Sequence, residues 1–123
     1  MTDVLAFVSD QMETLGLTYE FMQMTKTPLT YPYWVGEVTE PENITEDGKC
    51  EPTVILTGFT RGSFLELEQQ KTAIKDHFLH GQTTIKNGTA VAVFYGGSLT
   101  IPIEDDDLKK CQVNLSIKTW KGK

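Results

Sequence analysis

Apolar residues along this chain change period several times, and each change marks an element. Val54, Ile55, Leu56 and Phe59 sit among threonines, a β-compatible run. Past Arg61-Gly62 the period switches to helical. Phe64, Leu67, Ile74 and Phe78 fall on one face, with Glu66, Glu68, Lys75 and Asp76 left for water. Ser63 and Glu66 have the spacing of a capping box, in which the serine oxygen accepts from a first-turn amide and the glutamate reaches back to the cap amide. Glu68 and Lys71 stand three apart and support the helix weakly. His77 and His80 fall in its last turn, and Gly81 is the expected C-cap.

The N-terminal segment predicts another helix. Thr2 or Asp3 caps it, Val4, Leu5, Val8, Met12 and Leu15 form its apolar face, and Gly16 ends it. Residues 17–24, LTYEFMQM, carry large residues on both parities and read as a strand with both faces partly covered. A turn-rich link with Pro28 and Pro32 follows. Tyr33 to Thr39 is a second strand, where Gly36 suggests a bulge. Residues 40–52 have no periodicity and read as one long loop.

After the central helix, Thr83 to Lys86 runs into Asn87-Gly88, a strong hairpin signal. Thr89 to Tyr95 is apolar on both parities and predicts a central strand. Gly96-Gly97 suggests a second tight turn. Ser98 to Ile103 then forms a short strand that Pro102 pushes toward the sheet edge. Val113, Leu115 and Ile117 alternate with polar residues, as in a half-exposed strand. The expected fold is one α+β domain over residues 1–123, with a mixed, mostly antiparallel sheet and two helices packed on it.

Charge then narrows the partners. The 123 residues carry a net charge of -6, which disfavours nucleic acid as a main partner. No apolar run approaches the roughly 18 residues of a membrane span, and the N-terminus lacks the basic and apolar regions of a signal peptide. The expectation is therefore a cytoplasmic origin, with Cys50 and Cys111 as reduced thiols. The glycosylation patterns at Asn43, Asn87 and Asn114 are read as chance. The charge is uneven. Residues 37–51 hold six acids against Lys49, residues 104–107 are EDDD, and five of eleven basic residues lie in the last fifteen positions.

Catalytic chemistry is thinly represented. His77 and His80 lack further ligands nearby for zinc. Cys111 opens an alternating strand without a nucleophile motif. The EDDD run lacks the glycine and terminal glutamate of a calcium loop. Arg61-Gly62-Ser63 could offer amides to an anion, but the capping box uses some of them. No catalytic residue, cofactor or metal is assigned.

The phrases Tyr33-Trp34-Val35-Gly36-Glu37, the acidic loop ending near Asp47-Gly48, the strand Ile55 to Phe59, and Leu65-Glu66-Leu67-Glu68 together resemble the tail-completion proteins of siphophages and prophages. The likeness runs over nearly the whole chain, residues 1–120, and is to the tail terminator or tail-to-head joining group. It implies an α+β virion protein without enzymatic activity, made in the bacterial cytoplasm. It further implies a homo-oligomeric, typically six-fold ring capping the tail tube, with the tail tube protein and a head-completion or connector protein as partners. The alternative is a monomeric or dimeric module that binds a peptide or small ligand on its sheet. A ring needs two different patches on each subunit. The acidic loop supplies one candidate through Glu42, Glu46 and Asp47. Lys109, Lys110 and Lys118, expected on a basic strand edge, supply the other.

Overall fold

The computed structural model describes residues 2–22, 31–39, 49–61, 64–86, 88–101 and 108–121. The elements are α1 (Thr2–Thr14), β1 (Tyr19–Phe21), β2 (Tyr33–Thr39), β3 (Lys49–Cys50), β4 (Thr53–Arg61), α2 (Phe64–Phe78), β5 (Gln82–Lys86), β6 (Thr89–Ile101) and β7 (Leu108–Lys121). They form the expected α+β arrangement. One mixed sheet runs in the order β1-β2-β4-β7-β6-β5, and the two helices share one core with it. β1 is parallel to β2, and every other pairing is antiparallel.

Strand alternation sorts the residues into two faces. Val54 and Leu56 of β4, Trp34 of β2, and Cys111, Val113, Leu115 and Ile117 of β7 point inward and are buried. The helices close over them. α2 contributes Leu67, Ile74 and Phe78, all fully buried, and Phe64 packs at the margin. α1 contributes Val4, Phe7, Val8 and Met12. Leu5, expected on that face, is only half-buried, and Phe7 takes its place. At 3.6 residues per turn positions 7, 4, 8 and 12 span about 140° of the helix surface, and position 5 falls about 20° past the edge of that stripe, at its margin.

Trp34 lies against the middle of β4. Its indole Nε1 donates to Gln70 Oε1 of α2 at 2.8 Å, so the buried ring keeps its polar atom satisfied. Gly58 makes room for it. A Cβ there would stand 2.8 Å from the indole and 2.9 Å from Leu67 Cδ1. The helices are tied by His77 of α2, whose Nε2 is 2.6 Å from Gln11 Oε1 of α1.

Several local expectations change. Gly36 is not a bulge, because β2 pairs with β4 without interruption from Tyr33 to Thr39. It is small because the Tyr19 ring lies over it, and a Cβ would collide with the Tyr19 hydroxyl. Gly96-Gly97 is not a turn. β6 continues through it as one strand, since β7 is long enough to pair on both sides. Three steps on β6, Tyr95 to Ser98, oppose two on β7, Leu115 to Val113. The glycines absorb the extra residue as a bulge, with Gly97 at a φ of +122°. This returns Ser98 to the face of Tyr95, whose hydroxyl lies 2.6 Å from Ser98 Oγ. The end of the expected 40–52 loop is also structured. Lys49 and Cys50 pair with Trp120 and Thr119, and Ile117 N–H donates to the Pro52 carbonyl at 3.1 Å. β3 thus continues the line of β4 along β7. The helix stops at Phe78, so His80 lies beyond it in an exposed turn, and Gly81 follows at a φ of +85°. The Ser63 cap and residues 40–48 and 102–107 lie outside the described residues.

Candidate functional site

The sheet's second face carries no described helix, and its side chains are of mixed chemistry. Reading across β2, β4, β7 and β6, the end row is Tyr33, Phe59, Lys110 and Ile101, aligned by register. Tyr33 and Phe59 stack with ring centroids 5.1 Å apart, and Tyr31 tilts against Tyr33 at 5.5 Å. Cations stand over these rings. Lys110 Nζ lies 5.5 Å from the Phe59 centroid, and the Arg61 guanidinium 6.0 Å from that of Tyr31, to whose hydroxyl Arg61 Nε also donates at 3.3 Å. At the other end Lys118 Nζ lies 5.9 Å from the Phe94 centroid. Such contacts orient a cation without neutralising it.

Beyond Lys118 the same face ends in an apolar corner. Thr83, Ile85, Ala90, Ala92 and Trp120 line a shallow recess of about 290 Å³. Ile85 is 76% exposed and Leu99, farther along β6, 48%. Exposed apolar groups gathered on one face mark interaction surfaces more often than scattered ones do.

The lysines expected on a strand edge are placed differently. β7 lies between β4 and β6, so it presents faces and not an edge. Lys110 and Lys118 share the open face, eight residues and roughly 27 Å apart at strand rise. Lys109, one step from Lys110, points to the helix-covered side, in register with buried Thr60. Glu42, Glu46 and Asp47 lie outside the described residues. The aromatic half of the surface, Tyr31, Tyr33, Phe59 and Phe94, was not assigned from the sequence. Tyr33, Phe59 and Phe94 read as ordinary strand formers and Tyr31 as part of a turn-rich link, and only the register and ring contacts show that they share a face with the lysines.

A true edge does exist. β5 ends its pairing at Gln82 opposite Val93. From Phe94 to Ile101, β6 therefore pairs with β7 on one side and with no described strand on the other. Thr100 in this segment donates its hydroxyl to Glu68 Oε1 at 3.1 Å and accepts from Lys71 Nζ at 3.2 Å. Lys71 and Glu68 form the i, i+3 ion pair expected from the sequence, at 2.9 Å.

Among the described residues no three His, Cys, Asp or Glu side chains gather where a metal ion could sit. Burial pushes the Cys111 thiol up to about 11, far from the range of a nucleophile at neutral pH. Burial likewise pushes the Tyr19 hydroxyl up to about 12, and that hydroxyl has no hydrogen-bond partner among the described residues. No described helix is long and apolar enough to cross a membrane. No protein-family model matches the chain, and no curated protein matches its sequence.

Proposed function

We propose that this protein is a structural component of a phage or prophage virion, a tail terminator or tail-to-head joining subunit that forms a ring capping the tail tube. The observation that carries the reading is the open sheet face. It is broad, aromatic, cationic toward both ends and backed by a helix-braced core. That suits a part that is held by neighbours better than one that encloses a small substrate. The phrase resemblance in Tyr33–Glu37 and Leu65–Glu68 supplies the virion context. Its partners on this reading are copies of itself, the tail tube protein and the head connector, and it needs no cofactor.

The test is reconstitution. Particles made without this protein should yield heads and tails that do not join, and adding the purified chain should restore joined virions. Unchanged joining in its absence overturns the reading. Replacing residues 41–48 with a short Gly-Ser link, which leaves β3 in place, should give a folded protein that no longer completes tails.

A second reading is favoured by the open edge from Phe94 to Ile101. Unpaired strand edges accept extended peptides by strand addition. On that reading the protein is a peptide-binding module, and a bound peptide would protect β6 edge amides from hydrogen exchange. Protection confined to other segments would exclude it.

A further inference from the structure

We propose that the open sheet face receives the helical layer of a second copy of this chain, so that subunits dock front to back. The inference rests on the self-assembling reading above and names its two contact surfaces. The first argument is charge. On the strip formed by β4, β7 and β6 the described outward residues include Arg61, Lys110 and Lys118 and no carboxylate, and β2 beside it adds one exposed carboxylate, Glu37. The opposite side of the molecule is acidic. α1 and α2 carry Asp3, Asp10, Glu13, Glu66, Glu68 and Asp76 against Lys71 and Lys75. The two surfaces are of opposite sign, and electrostatic complementarity of this kind selects partner and register.

The second argument is area. Five strands spaced about 4.8 Å apart, along ten residues at about 3.3 Å each, present roughly 800 Å². A specific interface takes about that from each partner. Apolar anchors are present on both sides. Ile85, Leu99 and Trp120 stand out from the sheet, and Leu65 and Leu79, 66% and 47% exposed, stand out from the helical layer. Because the two surfaces lie on opposite sides, one subunit can use both at once. The contact is heterologous and propagates into a closed ring or an open stack.

Two double variants separate this arrangement from any other. Lys110→Glu with Lys118→Glu spoils the sheet face, and Glu13→Lys with Asp76→Lys spoils the helical layer. Circular dichroism and melting should show both folded like the parent. By light scattering the parent should exceed monomer mass, and each variant alone should be monomeric at concentrations at least tenfold higher. Mixed, they should form a 1:1 heterodimer and stop there, since only one intact sheet face and one intact helical layer remain. A parent that stays monomeric up to hundreds of micromolar overturns the proposal, as do a mixture that stays monomeric and a sheet-face variant that assembles like the parent. If those variants still join heads to tails, docking fails and the virion role stands. If docking succeeds but the parent cannot restore joining, the virion role fails and docking stands.

Discussion

The two faces of this sheet are built from the same strands and obey opposite rules. On the covered face a change of one methyl group is felt, because the space is already filled. Trp34, Gly58 and Leu67 interlock there, and a Cβ on Gly58 has no room. On the open face large residues coexist with lysine, glutamine and asparagine, and their neighbours are chosen by cross-strand register. Alternation places the two sets within one residue of each other. Lys109 and Lys110 are chain neighbours, yet one belongs to the helix side and the other to the open side. The covered face holds the fold together, and the open face carries no described helix.

The contrast breaks most completely at Ile74, which is fully buried on α2. Ile74→Asp adds an unpaired carboxylate to lost packing and should cost more than about 4 kcal/mol, enough to unfold the domain. A normal melting curve for that variant would mean the helix does not use this face. Gly58→Val tests the same packing more gently. It should cost about 1–3 kcal/mol by overpacking against Trp34, read as a lower urea midpoint. An unchanged midpoint would show that the indole can move aside.

Alkaline pH sharpens the comparison, since both groups with strongly raised pKa values lie on the covered face. Cys111 moves from an ordinary 9.0 to about 11, and Tyr19 from 10.0 to about 12. The folded state therefore keeps these protons after the unfolded state has lost them. Stability falls as pH rises through 9 to 11 for the thiol and through 10 to 12 for the phenol. Tyr19→Phe should flatten the upper part of that decline and leave stability at pH 7 nearly unchanged, because it removes a hydroxyl without a partner among the described residues. Urea unfolding at a series of pH values checks it, and an identical alkaline slope in the variant would refute it.

The smallest effect belongs to the open face. Lys118→Glu should alter stability by less than about 1 kcal/mol, the loss of one half-buried cation over Phe94. A loss of several kcal/mol in thermal melting would mean that this face also braces the monomer.

Most elements were legible from local chemistry. The helix from Phe64, its buried positions Leu67, Ile74 and Phe78, and the Glu68–Lys71 pair follow from spacing alone, because a helix fixes which residues share a side. Most strands follow from β-compatible runs bounded by turn residues, with clean alternation in β7, and the α+β class follows from their order; β3 was read as loop. Pairing does not. That β7, last in sequence, lies at the centre beside β4 is a long-range outcome, and no local signal encodes it. The two glycines at 96–97 show the same limit. Locally they suit a turn, and only a long partner strand turns them into a bulge within β6. Phe7 displaced Leu5 because the stripe that faces the sheet depends on how the helix is rotated against it. For the surface, the lysines were legible and their company was not. Lys110 over Phe59 and Lys118 over Phe94 are brought together across strands by hydrogen-bond register, which exists only once the sheet has formed.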